Sequence, residues 1–376
     1  MNRIVVTEHD NRYFILFLKG DKAEKIRAIN SLDYYPDCVF LGRVKNIKDN
    51  IASSFVNYNN GSVGFINSTS RKPETVFPVM VKKRNSGNKE DTLTDNIILA
   101  GVYTIVGSNI NGVRYSSRLN IEQKNTLGSL ELKDVIFRTN AGFTDSDSII
   151  NEYEFLSGKL LRINEICNKR TDNSILDRGF PELIKILFSE NIYEYDELLT
   201  DIDCVYEMYQ DFIDDYKSRN INIGLTVRKY EDEKVNLKTL ISFKSHLSNA
   251  CDRKVFLKSD SYLVIDNTEA MTVIDVNSGN TRFKGNREEV IHSINMEAAE
   301  EVARQLKLRN LSGIIIVDFI NCKNSKLNDE LVSHMIKLLK HDDSNAKCHG
   351  LTRLGLMEIS RDRRDLPLRE QINKKF

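Results

Sequence analysis

The sequence predicts an α+β protein of several domains, and three observations carry that prediction. From Met1 to Gly142, short β-type runs alternate with Asn- and Gly-rich turns. Between Ser146 and Lys169 the apolar spacing becomes helical. From Tyr262 to Ile320 two β-type runs, a long helical pattern and a third β-type run follow one another. The order is that of mixed α/β or α+β units, with no internal repeat and no low-complexity segment.

The 376 residues suffice for two or three domains with separate cores. Hydrophobic residues make up 40% and charged residues 29%, the proportions of an ordinary soluble globular protein. No long uncharged apolar run is present, so no transmembrane helix is expected. The opening MNRIVVTEHDNRYF lacks the basic-then-apolar pattern of a secretory signal, and a cytoplasmic location is expected. Cys38, Cys167, Cys204, Cys251, Cys322 and Cys348 form no CxxC pair, so they suggest reduced packing residues rather than a zinc ribbon or redox motif. The 54 basic and 54 acidic side chains cancel, and a nucleic-acid partner would have to be held by local basic patches.

Residues 1 to 30 alternate apolar and polar around His9-Asp10-Asn11, which predicts a hairpin or two adjacent strands. After the break at Tyr34-Tyr35-Pro36-Asp37, the runs VFLGRVKNI, IASSFVNYNNG and SVGFINS are short and closely spaced, as in a small barrel. Phe55, Tyr58 and Phe65 are interleaved with Arg43, Lys45 and Lys48. In such a barrel the aromatics either fill the core or stack on bases while the cations hold phosphates. VMVKKRNSGNKEDTLTD, with Lys82, Lys83, Arg84 and Lys89, is either a solvated loop or a patch that tracks a nucleic-acid strand. Arg138-Thr139 closes the run LKDVIFRT; a guanidinium and a hydroxyl there can clamp a phosphate, although a surface arginine is the commoner case. The acidic stretch YEYDELLTDIDCVYEMYQDFIDDY predicts a solvated helical face.

The central unit is the most informative. YLVID and MTVIDVN predict a β-hairpin, with Asp275 and Asn277 on one face and Ile274 and Val276 on the other. Asn286 followed by Glu288 and Glu289 marks a helix start. Ile291, Ile294, Ala298, Val302 and Leu306 give its buried stripe, and Glu297, Glu300, Arg304 and Lys307 a charged face. Ile314 to Ile320 predicts a buried-type strand carrying Asp318. A lone carboxylate among aliphatic residues is costly unless it is paired, hydrogen-bonded or bound to metal. Asp275, Asn277 and Asp318 can converge; two carboxylates and an amide suit Mg²⁺, or they form a hydrogen-bonded structural pair.

TEAMTVIDVNSG, NMEAAEEVARQLKLRNLSGIIIVDFI and LTRLGLMEISRDR closely resemble the ribonuclease E/ribonuclease G family, and weaker similarity reaches back to Met1. The resemblance implies an endonuclease that cleaves single-stranded RNA with one Mg²⁺ and leaves 5′-phosphate ends, in RNA processing and decay. It implies an RNase H-like domain built from residues 1–35 and 187–250. An S1-type OB barrel over 36–95 and a 5′-sensor region over 96–186 would be inserted in that domain. A DNase I-like catalytic domain would follow over 251–376. By position it implies that Asp275 and Asp318 are metal ligands and that Asn277 orients the first of them or the scissile phosphate. Phe55, Phe65 and Lys89 would hold RNA, and Gly101, Ile105, Arg138 and Thr139 would form the pocket for a 5′-monophosphate.

The chain departs from the family pattern in three places. Asn321 stands where a second acid is usual, Asp342-Asp343-Ser344-Asn345 replaces a basic run, and Ser117 replaces a sensor arginine. The family's CPxC motif is absent from the sequence, so no zinc link is expected, and a homo-oligomer would need another interface. The alternative function is that of an RNA-binding or ribosome-associated protein of the same fold that has lost catalysis.

Overall fold

The computed structural model describes residues 1–29, 37–48, 50, 52–59, 61–83, 90–167, 169–170, 173–279 and 286–373. They divide into two compact units. The first comprises Met1–Asn30, Tyr195–Tyr206 and Val227–Phe376; the second comprises Ser31–Glu194 and Glu207–Thr226. Among the described residues no helix is long and apolar enough to cross a membrane.

The first unit contains two sheets. In one, β1 (Asn2–His9), β2 (Arg12–Lys19) and β3 (Lys22–Ile29) form an antiparallel meander. That is one strand more than the sequence suggested. Asp10 and Asn11 both adopt positive φ (49° and 56°), the conformation a tight hairpin turn requires and one that Asn and Asp tolerate. β14 (Glu197–Thr200) pairs in parallel with β1, and β15 (Thr226–Lys229) completes the order β15-β14-β1-β2-β3. Leu237 of α5 (Leu237–Leu240), Phe243 of α6 (Phe243–Cys251) and Leu368 of α9 (Leu368–Asn373) join the apolar face of this sheet in one core.

The second sheet runs in the order β16-β17-β18-β19-β21-β20. Its strands are β16 (Lys254–Phe256), β17 (Tyr262–Asn267), β18 (Met271–Asn277), β19 (Gly313–Asp318), β20 (Lys347–Leu351) and β21 (Leu356–Arg361). β17 and β18 form the expected hairpin, and β19 lies parallel to β18 after the crossover helix α7 (Arg287–Leu308). Asn286 caps α7 by accepting from the Glu288 N–H at 3.1 Å. α7 and α8 (Ser325–Leu339) cover one face of the sheet, where Ile274, Val276, Ile315, Val317, Met357 and Ile359 meet Ala298, Val302, Leu306 and Met335. Among the described residues, no helix of this unit is laid on the other face. That corrects the expected buried-type strand: β19 alternates, with Ile315 and Val317 buried and Ile314 53% exposed. The charged side of α7 docks onto the first sheet: Arg304 Nη1 donates to the Ala23 carbonyl at 2.6 Å and Glu301 pairs with Lys22 at 3.2 Å.

The second unit holds a closed five-stranded, OB-like barrel. β4 (Val39–Lys48), β5 (Ser53–Asn59), β6 (Ser62–Ile66), β8 (Asp91–Thr94) and β7 (Val76–Lys83) pair in that order, and β7 returns to β4. Phe40, Val56, Tyr58, Val79 and Leu93 fill its interior. Closure needs a glycine at Gly64, where a Cβ would lie 2.6 Å from the Leu93 side chain and 2.9 Å from the Asp91 carbonyl oxygen. β13 (Ile175–Asp177) extends the barrel sheet beside β4.

A four-stranded sheet follows the barrel: β9 (Ile98–Ala100), β10 (Thr104–Gly107), β12 (Val135–Phe137) and β11 (Val113–Tyr115). α2 (Ser146–Ile166) packs against β9 and β10, and the same unit carries α1 (Ile121–Gly128) and α3 (Glu182–Ser189). α4 (Asp203–Ser218) starts in the first unit and continues into the second, carrying residues 207–218 with it.

Candidate active site

The site builds from the register of two parallel strands. Asp275 of β18 is the Cα partner of Asp318 of β19. Neighbouring strands lie about 5 Å apart and paired residues share a face. Both carboxylates therefore stand side by side on the open face, near the carboxyl ends of their strands, where ligands of α/β sheets characteristically bind. Both are exposed, which corrects the expectation that they lie buried among aliphatic residues. The hydrophobic neighbours Ile274, Val276 and Val317 point to the opposite face, so the carboxylates escape the desolvation cost.

Asn277 lies two residues beyond Asp275, on the same face, and its Nδ2 donates to Asp275 Oδ2 at 2.7 Å. One carboxylate oxygen is thereby oriented by the chain itself. A Mg²⁺ ion keeps several waters and needs only one or two protein carboxylates. The donor set of Asp275 and Asp318, unhindered on an open face, fits that demand. No group of three or more His, Cys, Asp or Glu suited to a metal occurs among the described residues.

The segment after Asp318 is fixed from α7. Asn295, 2% exposed, accepts from the Ile320 N–H at 3.1 Å and donates to the Ile320 carbonyl at 2.8 Å. Glu288 Oε2 accepts from the N–H groups of Lys323 (2.9 Å) and Asn324 (3.3 Å) and from Cys322 Sγ (2.9 Å). The thiol bond and these N–H groups hold the Glu288 carboxyl below the usual range. The sequence marked Glu288 only as part of a helix start and did not mark Asn295. The available signal was Asn295, an amide inside the apolar stripe of α7 beside Ile294.

The acidic run that replaces a basic one is structural. Asp342 and Arg361, 0% and 1% exposed, pair at 2.9 Å. Asp342 Oδ1 also accepts from the N–H groups of Ser344 (2.9 Å) and Ala346 (3.3 Å), closing the turn that leads into β20. Asp343 pairs with the nearly buried Lys25. Asn345 turns at positive φ (55°), and its Nδ2 donates to Asp362 Oδ2 at 3.3 Å. Asn321 is exposed, three residues beyond Asp318.

The remaining candidates lie in the second unit. Phe55 and Phe65 face each other across β5 and β6, half-buried and outside the barrel core, while Tyr58 fills that core. The Lys48 ammonium sits 5.0 Å from the Phe55 ring. Lys89 lies outside the described residues.

Gly101, Ile105, Arg138 and Thr139 lie in or next to the small sheet, and they face different partners. Ile105 pairs with Ile136, and the Arg138 N–H donates to the Tyr103 carbonyl at 2.8 Å. Thr139 Oγ1 and Ser116 Oγ are 2.9 Å apart. Arg138 directs Nε (3.0 Å) and Nη2 (2.6 Å) to the Phe188 carbonyl, and burial lowers its pKa. Gly101 is buried against Glu152, whose carboxylate a Cβ there would meet at 2.4 Å. Glu152 accepts from the N–H groups of Val102 (2.7 Å), Tyr103 (2.9 Å) and Thr104 (2.7 Å) and from Thr104 Oγ1 (2.8 Å). Burial raises its pKa against these bonds, which favour the charged form.

The profile of the ribonuclease E/G family matches residues 99–364. Ribonuclease E of Synechocystis is 29% identical over 356 residues, covering 88% of this chain and 53% of that protein. Ribonuclease E of Escherichia coli is 26% identical, covering 86% of this chain and 33% of the relative. Ribonuclease G of the same organism is 25% identical, covering 86% and 72%. The chain thus spans about half the length of the cyanobacterial relative. The matched region includes the small sheet with Arg138 and the whole sheet that carries Asp275 and Asp318. The chain belongs to the ribonuclease E/G family.

Proposed function

We propose that this chain is a Mg²⁺-dependent endoribonuclease that cleaves single-stranded RNA internally and leaves 5′-phosphate ends. The observation that supports this most is the paired register of Asp275 and Asp318 on an open sheet face, with Asn277 bonded to the first. The names of the relatives support the reaction class. Asp275 and Asp318 would hold one Mg²⁺. Bound there, the ion would polarise a phosphodiester and acidify the attacking water. The chain's own contribution is orientation. Asn277 fixes one Asp275 oxygen, and Asn295 and Glu288 fix the segment that follows Asp318, so the donors need little rearrangement when substrate arrives.

In the same proposal Phe55, Phe65 and Lys89 hold the strand at an S1-type barrel. Gly101, Ile105, Arg138 and Thr139 receive a 5′-monophosphate that stimulates cleavage. The two sheets of the first unit correspond to RNase H-like and DNase I-like folds. The protein works in cytoplasmic RNA processing, including that of rRNA, and in RNA decay, as a homo-oligomer.

The test is a cleavage assay on A/U-rich single-stranded oligonucleotides bearing either a 5′-monophosphate or a 5′-hydroxyl, in Mg²⁺ and in EDTA. Cleavage only in Mg²⁺, faster on the monophosphate, is expected. RNA binding that persists in EDTA with no cleavage in Mg²⁺ would instead assign the chain to the non-catalytic RNA-binding alternative, which the exposed Asn321 beside the acid pair favours.

A further inference from the structure

The edge of the acid-bearing sheet carries a cluster to which nothing above assigns a role. Phe256, at the end of the edge strand β16, is 71% exposed, the most exposed aromatic ring among the large hydrophobic residues of the described chain. It is the register partner of Tyr262 on β17, and the two ring centroids lie 6.1 Å apart at 56°. The Lys254 ammonium lies over both rings, 3.5 Å from the Tyr262 centroid and 4.8 Å from that of Phe256. Lys254 forms no ion pair with a carboxylate among the described residues, unlike its neighbour Arg253, which is held by Asp266 at 2.5 Å.

Register ties this cluster to the acids. Tyr262 is the partner of Asn277, and Lys254 is the partner of Val264, itself the partner of Asp275. All of these residues therefore point to the open face. Tyr262 stands one strand from Asn277, about 5 Å away, and Phe256 one strand further. An exposed aromatic face costs solvation unless something covers it, and a cation parked on rings rather than on a carboxylate keeps its charge for an anion. A base stacked on an aromatic ring with its phosphate on a neighbouring cation is the recognition chemistry of single-stranded nucleic acid.

We propose that Phe256, Tyr262 and Lys254 form a nucleotide subsite beside the acid pair. The base of one single-stranded RNA nucleotide stacks on Phe256, and its phosphate pairs with Lys254. The subsite rests on the proposed RNA substrate and adds a determinant of which phosphodiester reaches Asp275 and Asp318. Lys254 brings positive charge to a face that bears Asp275, Asp318 and Glu358, and so offsets part of the repulsion between those carboxylates and the strand.

The test separates stacking from cleavage. Titration of the full chain in EDTA with an oligouridylate containing a single 2-aminopurine reads stacking by fluorescence quenching and affinity by anisotropy, whether or not the protein is a nuclease. Quenching on wild type is expected. Phe256→Ala should abolish the quenching and weaken binding about tenfold. Phe256→Trp should restore both, and Lys254→Ala should weaken binding and flatten its salt dependence. In Mg²⁺, Phe256→Ala should shift the cleavage positions along a uniform-length RNA while Asp275→Asn removes cleavage. Unchanged quenching and affinity in a folded Phe256→Ala protein would overturn the subsite even if cleavage is found. Concentration-dependent self-association that Phe256→Ala removes would overturn it in favour of a second copy of the chain.

Discussion

Asp275 and Asp318 are register partners on adjacent parallel strands, and both side chains stand exposed on the face that α7 and α8 leave uncovered. A βαβ crossover produces this juxtaposition: the chain leaves β18, returns through α7, and lays β19 beside the strand it left. Two acids more than forty residues apart in sequence thereby occupy one small patch.

Asn277 is bonded to Asp275 and should act through it. Asn277→Ala is expected to lower activity about 10- to 100-fold and to raise the Mg²⁺ concentration needed for half-maximal rate, with little change in melting temperature. A Mg²⁺ titration of initial rates checks this. An unchanged titration curve would show that the amide does not orient the carboxylate.

Asn295 makes two hydrogen bonds to Ile320 from a nearly buried position. Asn295→Leu leaves both backbone groups unpaired and should cost about 2 kcal/mol, with a fall in kcat larger than any change in KM. Chemical denaturation and steady-state kinetics on the same preparation separate the two effects.

The Asp342–Arg361 pair is fully enclosed. Asp342→Ala would strand a buried guanidinium and should destabilise the first unit by about 3 to 5 kcal/mol. The double variant Asp342→Ala/Arg361→Met should recover part of that loss. Urea unfolding of the single and double variants tests this, and equal stability of Asp342→Ala and wild type would contradict it.

Glu197 bridges Arg3 at 2.8 Å and Arg228 at 2.9 Å, and the hydrogen bond from Arg228, ahead of the charge of Arg3, holds its carboxyl below the usual value. A depressed folded-state pKa gives stability that is present above the unfolded value of about 4.3 and is lost as pH falls through the folded one. Glu197→Gln should therefore be less stable than wild type at pH 7. The gap should shrink below about pH 4, as measured by thermal melts across that range.

Much of this was legible in the sequence because it depended on local pattern. The alternation around Asp275, the cap at Asn286 and the stripe from Ile291 to Leu306 follow from strand and helix periods, and the structure places them accordingly. What failed depended on which layers cover which faces. The run Ile314 to Val317 has no polar residue to mark its open side, so it looked buried, and its acid looked costly. Sequence likewise gave no sign that Arg304 would dock on Ala23, 281 residues away, or that Asp342 would meet Arg361 across the β20–β21 hairpin, because both contacts depend on tertiary packing. The acidic run 342–345 could be recognised as a departure from the family; only tertiary packing shows that its first residue neutralises a buried arginine.

If Asp275 and Asp318 hold the catalytic metal as proposed, removing either carboxylate should end cleavage. The most direct measurement compares wild type with Asp275→Asn and Asp318→Asn on one end-labelled, A/U-rich single-stranded RNA in Mg²⁺, with circular dichroism confirming the fold. Internal cleavage by wild type and none by either variant is predicted. A folded Asp275→Asn protein that cuts as fast as wild type would contradict the account.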